Sequence, residues 1–406
     1  MKHTMYDSTT PPPALRVEQT EFTRHTMEHR VPDILKQVSA RNPDYSEATH
    51  QAILELAAAL VDDKMMPVPL DTWADYAAWA SLYEAHAGET WRHTQWFFAE
   101  VYVYHLLLHI VGYFENKHDP FTPYKQEELN GETLPQVLKQ GLALRSDPAR
   151  ERLNGLLELA LFANRMDLSL STSTALGTHA HDDDLVADDR AAALDHLLEN
   201  QPGTIHLIAD NAATELTLDL LLIDALLETA ASDVFLHLKA RPMFVSDATP
   251  HDLAALLNDV FKTIPVDGAA ELGQRLMMAG WQGRLKVTSF EDWNRPHFLR
   301  DFPEDAMQAF ASAALVIAKG DLNYRRITGD ALWKPDTPFS EAAAYFPAPL
   351  LALRTLKSET IVGLQAGQAE ALNTQDPKWR LNGKRGVIQF SPQSEIKPRI
   401  PSASNS

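Results

Sequence analysis

The sequence predicts an α/β protein in which a helical half precedes a parallel sheet. Three observations carry this. From about residue 16 to 115 the apolar residues recur at helical spacing, and helical patterns resume near 132–144, 147–164 and 190–199. Beyond about 203, short apolar runs alternate with helical segments, the pattern of parallel strands joined by crossovers. Those runs are TIHLIAD (204–210), DVFLHLKA (233–240), RLKVTSF (284–290) and ALVIAKG (314–320), near-continuously apolar as in a sheet covered on both faces.

Residues 1–15, with Pro11–Pro13 as a stiff spacer, are expected to be disordered. Ser46 is placed to cap the helix EATHQAILELAAALVDD. Asp71-Thr72 opens a second, WADYAAWASLYEAHA; Trp73, Trp79, Trp91 and Trp96 fall at helical spacing and read as core. A third helix is expected from about Glu89 to Glu115, apolar all round and therefore buried all round. Its stretch 96–114 is long enough to span a bilayer. It carries Glu100, His105 and His109, however, and no second span exists, so a buried core helix is expected and no membrane contact. Asp119-Pro120 and Thr122-Pro123 mark a turn region. The stretch 171–189 reads as a loop; its HAHDDD (179–184) has metal-ligand chemistry but neither helical spacing nor an apolar frame, and reads as solvated. ELTLDLLLIDALLETA and TPHDLAALLNDVFKTI are the crossover helices, GVIQF (386–390) adds a last strand, and 393–406 is expected to be a disordered tail. The expected division is a helical domain over 16–200 and an α/β domain over 201–392 that carries the site.

The formal net charge of −19 repels phosphate backbones at long range, so no nucleic-acid partner is expected. The chain has no cysteine, which excludes disulfides, thiolate zinc sites and a cysteine nucleophile. The N-terminal MKHTMYDSTTPPPAL has no apolar stretch of the secretory kind, and a cytoplasmic location is expected.

Chemistry is concentrated where the strands end. In LIADNAATELTLD (207–219) a buried strand finishes in Asp210-Asn211 and a helix follows at once. Ligands of open parallel sheets bind beyond the carboxyl ends of the strands, and a helix start adds free N–H groups and a partial positive field. Asp and Asn side by side offer hard oxygens, suited to Mg²⁺ or Mn²⁺. Asp247 follows the next strand on the same side. Both acids fit helix N-caps as well; the neighbouring Asn211 is what capping does not require. A further strand ends in AKGDLNYRR, where Lys319, Asp321, Asn323 and Arg325 crowd what reads as one loop, its glycine permitting positive φ. Cations there suit phosphate, and Asp321 suits a metal or a sugar hydroxyl. RTLKSE sets Arg354 and Lys357 three apart, on one side if helical or tightly turned, or else as a solvated pair. Glu100, inside WFFAEVYVY, needs an ion-pair partner, a proton or a polar cavity.

The blocks WRHTQWFFAEVYVYHLLL, DPFTPYK, FANRMDLSL, DNAATELTLDLLL, KARPMFVSDAT, KGDLNYRRITGDALW and LRTLK, in this order, resemble the damage-control phosphatases, once called domain of unknown function 89, in their Arg-Thr-x-Lys subgroup. The likeness runs from about residue 20 to 390. It implies an all-α N-terminal domain joined to a Rossmann-like α/β/α sandwich. It also implies a divalent-metal-dependent phosphatase, using manganese or magnesium or else cobalt or nickel, and acting on small phosphorylated sugars such as fructose 1-phosphate and fructose 6-phosphate. Carried over by motif, Asp210, Asn211 and Asp247 would hold the metal, and Asp210 or Asp321 would position the attacking water. Glu100, Glu215, Lys319, Asp321, Asn323, Tyr324, Arg325, Arg354 and Lys357 would surround the substrate. A protein-glutamate methyltransferase activity using S-adenosylmethionine is attributed to one branch, with Glu215 and Asp247 then touching that cofactor. That reading, and a non-catalytic sugar-phosphate sensor, are the alternatives; against methyl transfer, DNAATE is acidic where a glycine-rich loop would be expected. One departure stands out: the family reads Asp-Asn-Ala-Gly-x-Glu, and here Ala213 replaces the glycine. If that position has positive φ, alanine costs on the order of 1 kcal/mol.

Overall fold

Seven strands form one sheet: β1 (Leu185–Asp188), β2 (Gly203–Ile208), β3 (Ala231–His237), β4 (Leu285–Thr288), β5 (Leu315–Lys319), β6 (Leu350–Thr355) and β7 (Gly386–Ser391). The computed structural model describes residues 11–169, 184–199 and 201–392. The disorder expected over 1–10 and 393–406, and all of HAHDDD but Asp184, lie outside the described residues. Strand order is β1-β7-β6-β5-β2-β3-β4, and every pairing is parallel except β6 with β7. The chain leaves β2 for β3 on one side and later returns to β5 on the other. The crevice between the carboxyl ends of β2 and β5 is therefore the topological switch point, where open sheets bind ligands.

The helices used below are α1 (Val31–Arg41), α2 (Glu47–Val61), α3 (Tyr76–Glu84), α4 (Trp96–Ile110), α5 (Thr122–Leu129), α6 (Thr133–Ala143), α7 (Ala149–Ser169), α8 (Arg190–Glu199), α9 (Ala213–Thr229), α10 (Ala269–Trp281) and α11 (Gly320–Thr328). Helices α6 to α10 cover one face of the sheet through Leu138, Leu156, Leu194, Leu220, Ile223 and Leu276. Helix α9 is buried from Ala213 to Leu227, which explains a sequence without a polar stripe. The other face is covered by residues such as Trp293, Phe310, Tyr324 and Phe346, completing an α/β/α sandwich. Helices α1 to α4 build a third core around Trp79, Trp91, Trp96 and Tyr102, and it packs on Met243, Phe244, Val245 and Leu322, which follow the strand ends. Ser46 caps α2, its hydroxyl accepting from Thr49 N. None of the described helices is long and apolar enough to cross a membrane.

The structure differs from expectation in several places, among them the helix expected to open at Asp71-Thr72, which starts only at Tyr76. Leu15, at the end of the segment expected to be disordered, is fully buried, and its N–H donates to Asp330 O. The long apolar helix is shorter than Glu89–Glu115: it starts at Trp96 and stops before Gly112, whose φ of +68° ends the helical run. Strand β1 lies inside the 16–200 stretch expected to be all-helical, and α6, α7 and α8 share the sheet's core rather than the helical one. Four residues are too few to show alternation. Strand β6 was hidden because LLALRT lacks β-branched residues before its last position; pairing with β5 and β7 imposes the strand.

A buried histidine pair ties β2 to β3. His206 Nδ1 lies 2.8 Å from His237 Nε2, and Thr288 Oγ1 lies 3.0 Å from His237 Nδ1. The chain of donors closes with both rings neutral: Thr288 donates to His237, which donates to His206. Burial pushes His206 down to about 4 and His237 to about 3. Below the ordinary histidine value the unfolded chain therefore takes up protons that the folded chain refuses, and stability falls with pH. Urea unfolding is expected to show a loss of about 4 kcal/mol between pH 7.5 and pH 5 from this pair. In His206→Gln the pH slope over this window should flatten; an unchanged slope would contradict the assignment.

Candidate active site

The loops after β2 and β3 are joined by an antiparallel bridge at Asn211 and Asp247. Ala212 N donates to Ser246 O at 2.7 Å, and Ala248 N donates to Asp210 O at 2.8 Å. Asn211 works as a clamp: its Oδ1 accepts from Ser246 Oγ at 2.7 Å and its Nδ2 donates to Glu215 Oε1 at 2.6 Å. The turn that returns the second loop places Phe244 at φ 47° and Val245 at φ 71°. Positive φ at a β-branched residue is a true outlier, and such strain gathers at functional sites. Ala213 also lies in the left-handed region, at φ 49°. The position thus has the backbone that favours glycine, and alanine is the strained choice. The N–H of Thr214, next along, is taken by Glu128 Oε1 from α5 at 3.1 Å.

At the end of β5, AKGDLNYRR is not a loop: Gly320 starts helix α11. Gly320 has φ +88°, and a Cβ there would lie 1.9 Å from Asp210 Oδ2. The carboxylate of Asp210 thus sits against bare backbone at the switch point. Asp321 Oδ1 accepts from Arg354 Nε at 2.7 Å, Ser358 Oγ at 3.0 Å and Lys357 N at 3.2 Å.

The residues expected around a substrate separate into two groups. Asn323 is a brace: its Nδ2 donates to Ala209 O at 3.1 Å and Lys319 O at 2.7 Å, holding α11 to the end of β2. Tyr324 is buried, donates to Gln389 Oε1 at 2.8 Å and carries the Arg354 guanidinium on its ring at 4.3 Å. Arg354, next to last in β6, has no exposed surface and donates to the Ser358 and Thr360 carbonyls besides Asp321, so it is neither helical nor a solvated partner of Lys357. These three stand behind the wall of the site. The others face it. Lys319 pairs with Asp219 at 2.6 Å. Arg325 pairs with Asp330 at 2.9 Å and with Glu100 at 2.8 Å, and stacks on Trp96 at 3.8 Å. Glu100 is thus answered by an ion pair. Lys357 makes no ion pair among the described residues.

A cavity of about 520 Å³ opens between the helical layer and the strand ends. Arg30, Trp96, Glu100 and Tyr104 line it from above, and Asp210, Asn211, Asp247, Asp321, Arg325 and Lys357 from below. A recess of about 30 Å³ continues behind Asp210 to Glu215, Lys319 and Lys357. A larger hollow of about 790 Å³, lined by Gln140, Arg150, Glu158 and Arg190, lies apart from all of these, and its charges are spent on pairs such as Arg190 with Glu158. Arg30 had no sequence signal. Pro32 lacks the N–H that would continue an α ladder, and Val31 N reaches back to Thr26 O, a π-type turn that delivers Arg30 to the cavity.

Burial, with Glu215 and Asp247 alongside, raises Asp210 well above the usual carboxylate range. Burial raises Asp247 too, against the pull of Lys239, whose own ammonium is held down by burial. Among the described residues Asp247 Oδ2 has no hydrogen-bond partner, and Lys239 Nζ lies 3.4 Å from it. Asp321 is the opposite case: burial works against its charge, but Arg354 and Arg325 outweigh it and hold the group below the ordinary range. The floor thus gathers more buried negative charge than its lysines answer, and one buried oxygen of Asp247 lacks a hydrogen-bond partner among the described residues. These residues fit a divalent cation.

Residues 26–372 match the family described as the damage-control phosphatase ARMT1-like domain. The mouse damage-control phosphatase ARMT1 is 29% identical, the alignment covering 92% of this chain and 97% of the mouse protein. The Xenopus laevis protein of that name is 32% identical over 79% of this chain and 81% of its own. The human one is 30% identical over 80% of each. A solved structure, a DUF89 family protein from Pyrococcus horikoshii, has the same fold with a TM-score of 0.50 at 15% identity, covering 90% of this chain and 97% of that one.

Two substitutions check the backbone of the site. Ala213→Gly is expected to stabilise the fold by about 1 kcal/mol in urea unfolding; a destabilisation would mean the left-handed conformation is absent. Gly320→Ala should lower the thermal midpoint far more than Gly283→Ala, a control with positive φ but open space around it.

Proposed function

The chain belongs to the damage-control phosphatase ARMT1-like family, and from that premise we propose that it is a divalent-metal-dependent phosphomonoester hydrolase acting on small sugar phosphates of the fructose 1-phosphate and fructose 6-phosphate type. The observation that supports this best is the meeting of Asp210, Asn211 and Asp247 at the switch point, beneath a cavity lined by Arg30 and Lys357, two cations without an ion pair among the described residues. Those three residues would hold the metal. Their hard oxygens favour magnesium or manganese, with cobalt and nickel as further candidates. What a divalent ion supplies in such a setting is Lewis-acid stabilisation of phosphoryl charge.

The chain's own residues have distinct tasks in this reading. Lys357 and Arg30 bind the phosphoryl oxygens, since the neighbouring Lys319, Arg325 and Arg354 are held by carboxylates. Asp321 is kept ionised, with Oδ1 fixed by three donors, and Oδ2 orients the attacking water or a sugar hydroxyl. Phosphoryl transfer passes through a loose transition state, so positioning matters more there than basicity. Asp210, whose proton affinity is raised by burial and by other acids, is assigned to the metal rather than to proton transfer. The Arg325–Glu100 pair on Trp96 forms the wall against which the sugar rests. No specific feature of the site favours methyl transfer.

The test is a panel of phosphorylated metabolites assayed with chelator-treated protein and several added metals. Phosphate release is expected only with metal. Asp247→Asn should lower kcat at least 100-fold with the fold intact, and full activity without metal or in this variant would overturn the reading. Lys357→Ala should raise KM about 10-fold, about 1.4 kcal/mol, without changing metal affinity by calorimetry. Arg30→Ala should act in the same direction.

A further inference from the structure

A second constellation of ligands lies in the helical layer, outside the cavity just described. His105 and His109 are one turn apart on α4, and Asp75 immediately precedes α3. The two Nε2 atoms are 3.1 Å apart, and each is 3.7 Å from Asp75 Oδ1. A triangle with these sides has a circumradius of about 2.0 Å, the length of a zinc–imidazole or zinc–carboxylate bond. One point in space is thus at bonding distance from all three atoms with none of them moved.

The rings are fixed in these positions from outside. Trp79 stacks on His105 at 3.9 Å. His109 is held between Trp73 at 4.0 Å and Phe114 at 4.3 Å. Hydrogen bonding within the cluster does not account for it. A bond between the two imidazoles satisfies one donor and one acceptor, but both oxygens of Asp75 are buried and have no hydrogen-bond partner. The cation facing them, Arg241, stays 3.7 Å from Oδ2 and is engaged by Glu291 at 2.6 Å. Arg241 and the two rings answer the Asp75 charge only from 3.7 Å, and a cation bound at Oδ1 would supply the close contact that is missing.

We propose that Asp75, His105 and His109 form a zinc-type site, separate from the oxygen-lined one, with Oδ1 and the two Nε2 atoms as ligands and water in the remaining position. Two imidazoles and a carboxylate favour zinc over magnesium or manganese, so the two sites sort different ions. The role is a structural clamp. Residues 62–75 connect α2 to α3 without a helix or strand and expose Val68 and Leu70, and the cation fastens the end of this segment to α4.

The test is zinc uptake by the full chain after chelator treatment, measured by equilibrium dialysis with elemental analysis. Asp247→Asn, which disables the other site, is the background. That protein is expected to bind one zinc per chain, with a thermal midpoint that rises as zinc is added. Adding Asp75→Asn, nearly the same shape, or His109→Gln should weaken uptake at least 100-fold and abolish the rise. Asp75→Asn alone should leave magnesium- or manganese-supported phosphate release unchanged, which separates this site from the catalytic reading. No stoichiometric zinc in the Asp247→Asn background, or equal affinity in the added variants, would overturn the proposal.

Discussion

Two backbone hydrogen bonds, Ala212 N to Ser246 O and Ala248 N to Asp210 O, organise the carboxyl end of the sheet. Parallel strands normally part at their ends into separate crossovers. Here the loops after β2 and β3 stay together for one more pairing, of the opposite sense, before α9 and the next helix begin. That pairing brings Asp210, Asn211 and Asp247 to one place. It also explains the left-handed backbone at Ala213, Phe244 and Val245, where the two loops must turn to meet. The electrostatics follow from the same geometry: burial in the crevice raises the proton affinity of Asp210 and Asp247, and for Asp210 the nearby Glu215 and Asp247 add to it.

A chain with a net charge of −19 nonetheless surrounds this crevice with basic side chains. Most are engaged: Lys319 by Asp219, Arg325 by Glu100 and Asp330, Arg354 by Asp321. Breaking a buried pair of this kind costs about 3–5 kcal/mol, because it strands the partner's charge. Removing one of these residues therefore tests the fold before it tests binding. The Arg-Thr-x-Lys stretch divides along this line. Arg354 fixes Asp321 from behind, while Lys357, just beyond β6, reaches the cavity, and its N–H helps hold the same carboxylate.

Much of this was legible in the sequence, and the failures have physical reasons. The strands ending in Asp210 and Lys319 are apolar enough to be read directly, and the side of the sheet on which a site should lie follows from parallel pairing alone. What a linear sequence does not carry is which way a polar residue faces at a strand end. Asn323, Tyr324 and Arg354 have the chemistry of ligands, but they are turned into hydrogen bonds with the scaffold. Strand β6 has the composition of a helix and takes its form from neighbours on both sides. Arg30 reaches the cavity through a helical irregularity that no pattern announces. His105 and His109 had the spacing of a ligand pair, but Asp75 comes from another element, and only the tertiary fold joins them.

The strain at the site is better explained by function than by folding. Residues with positive φ at Ala213, Phe244 and Val245 each oppose stability, by about 1 kcal/mol or more, in a protein whose total margin is on the order of 10 kcal/mol. Glycine would remove the penalty at Ala213, and a longer loop would remove it at the other two. Both changes would also loosen the pairing that holds the acids together. Shorter, stiffer loops hold the oxygen donors in place before any ligand arrives, which lowers the ordering entropy lost on binding. On this view the buried acids and the strained loops belong to one arrangement: the backbone forces like charges together, and a cation bound between them, as proposed, would relieve that repulsion.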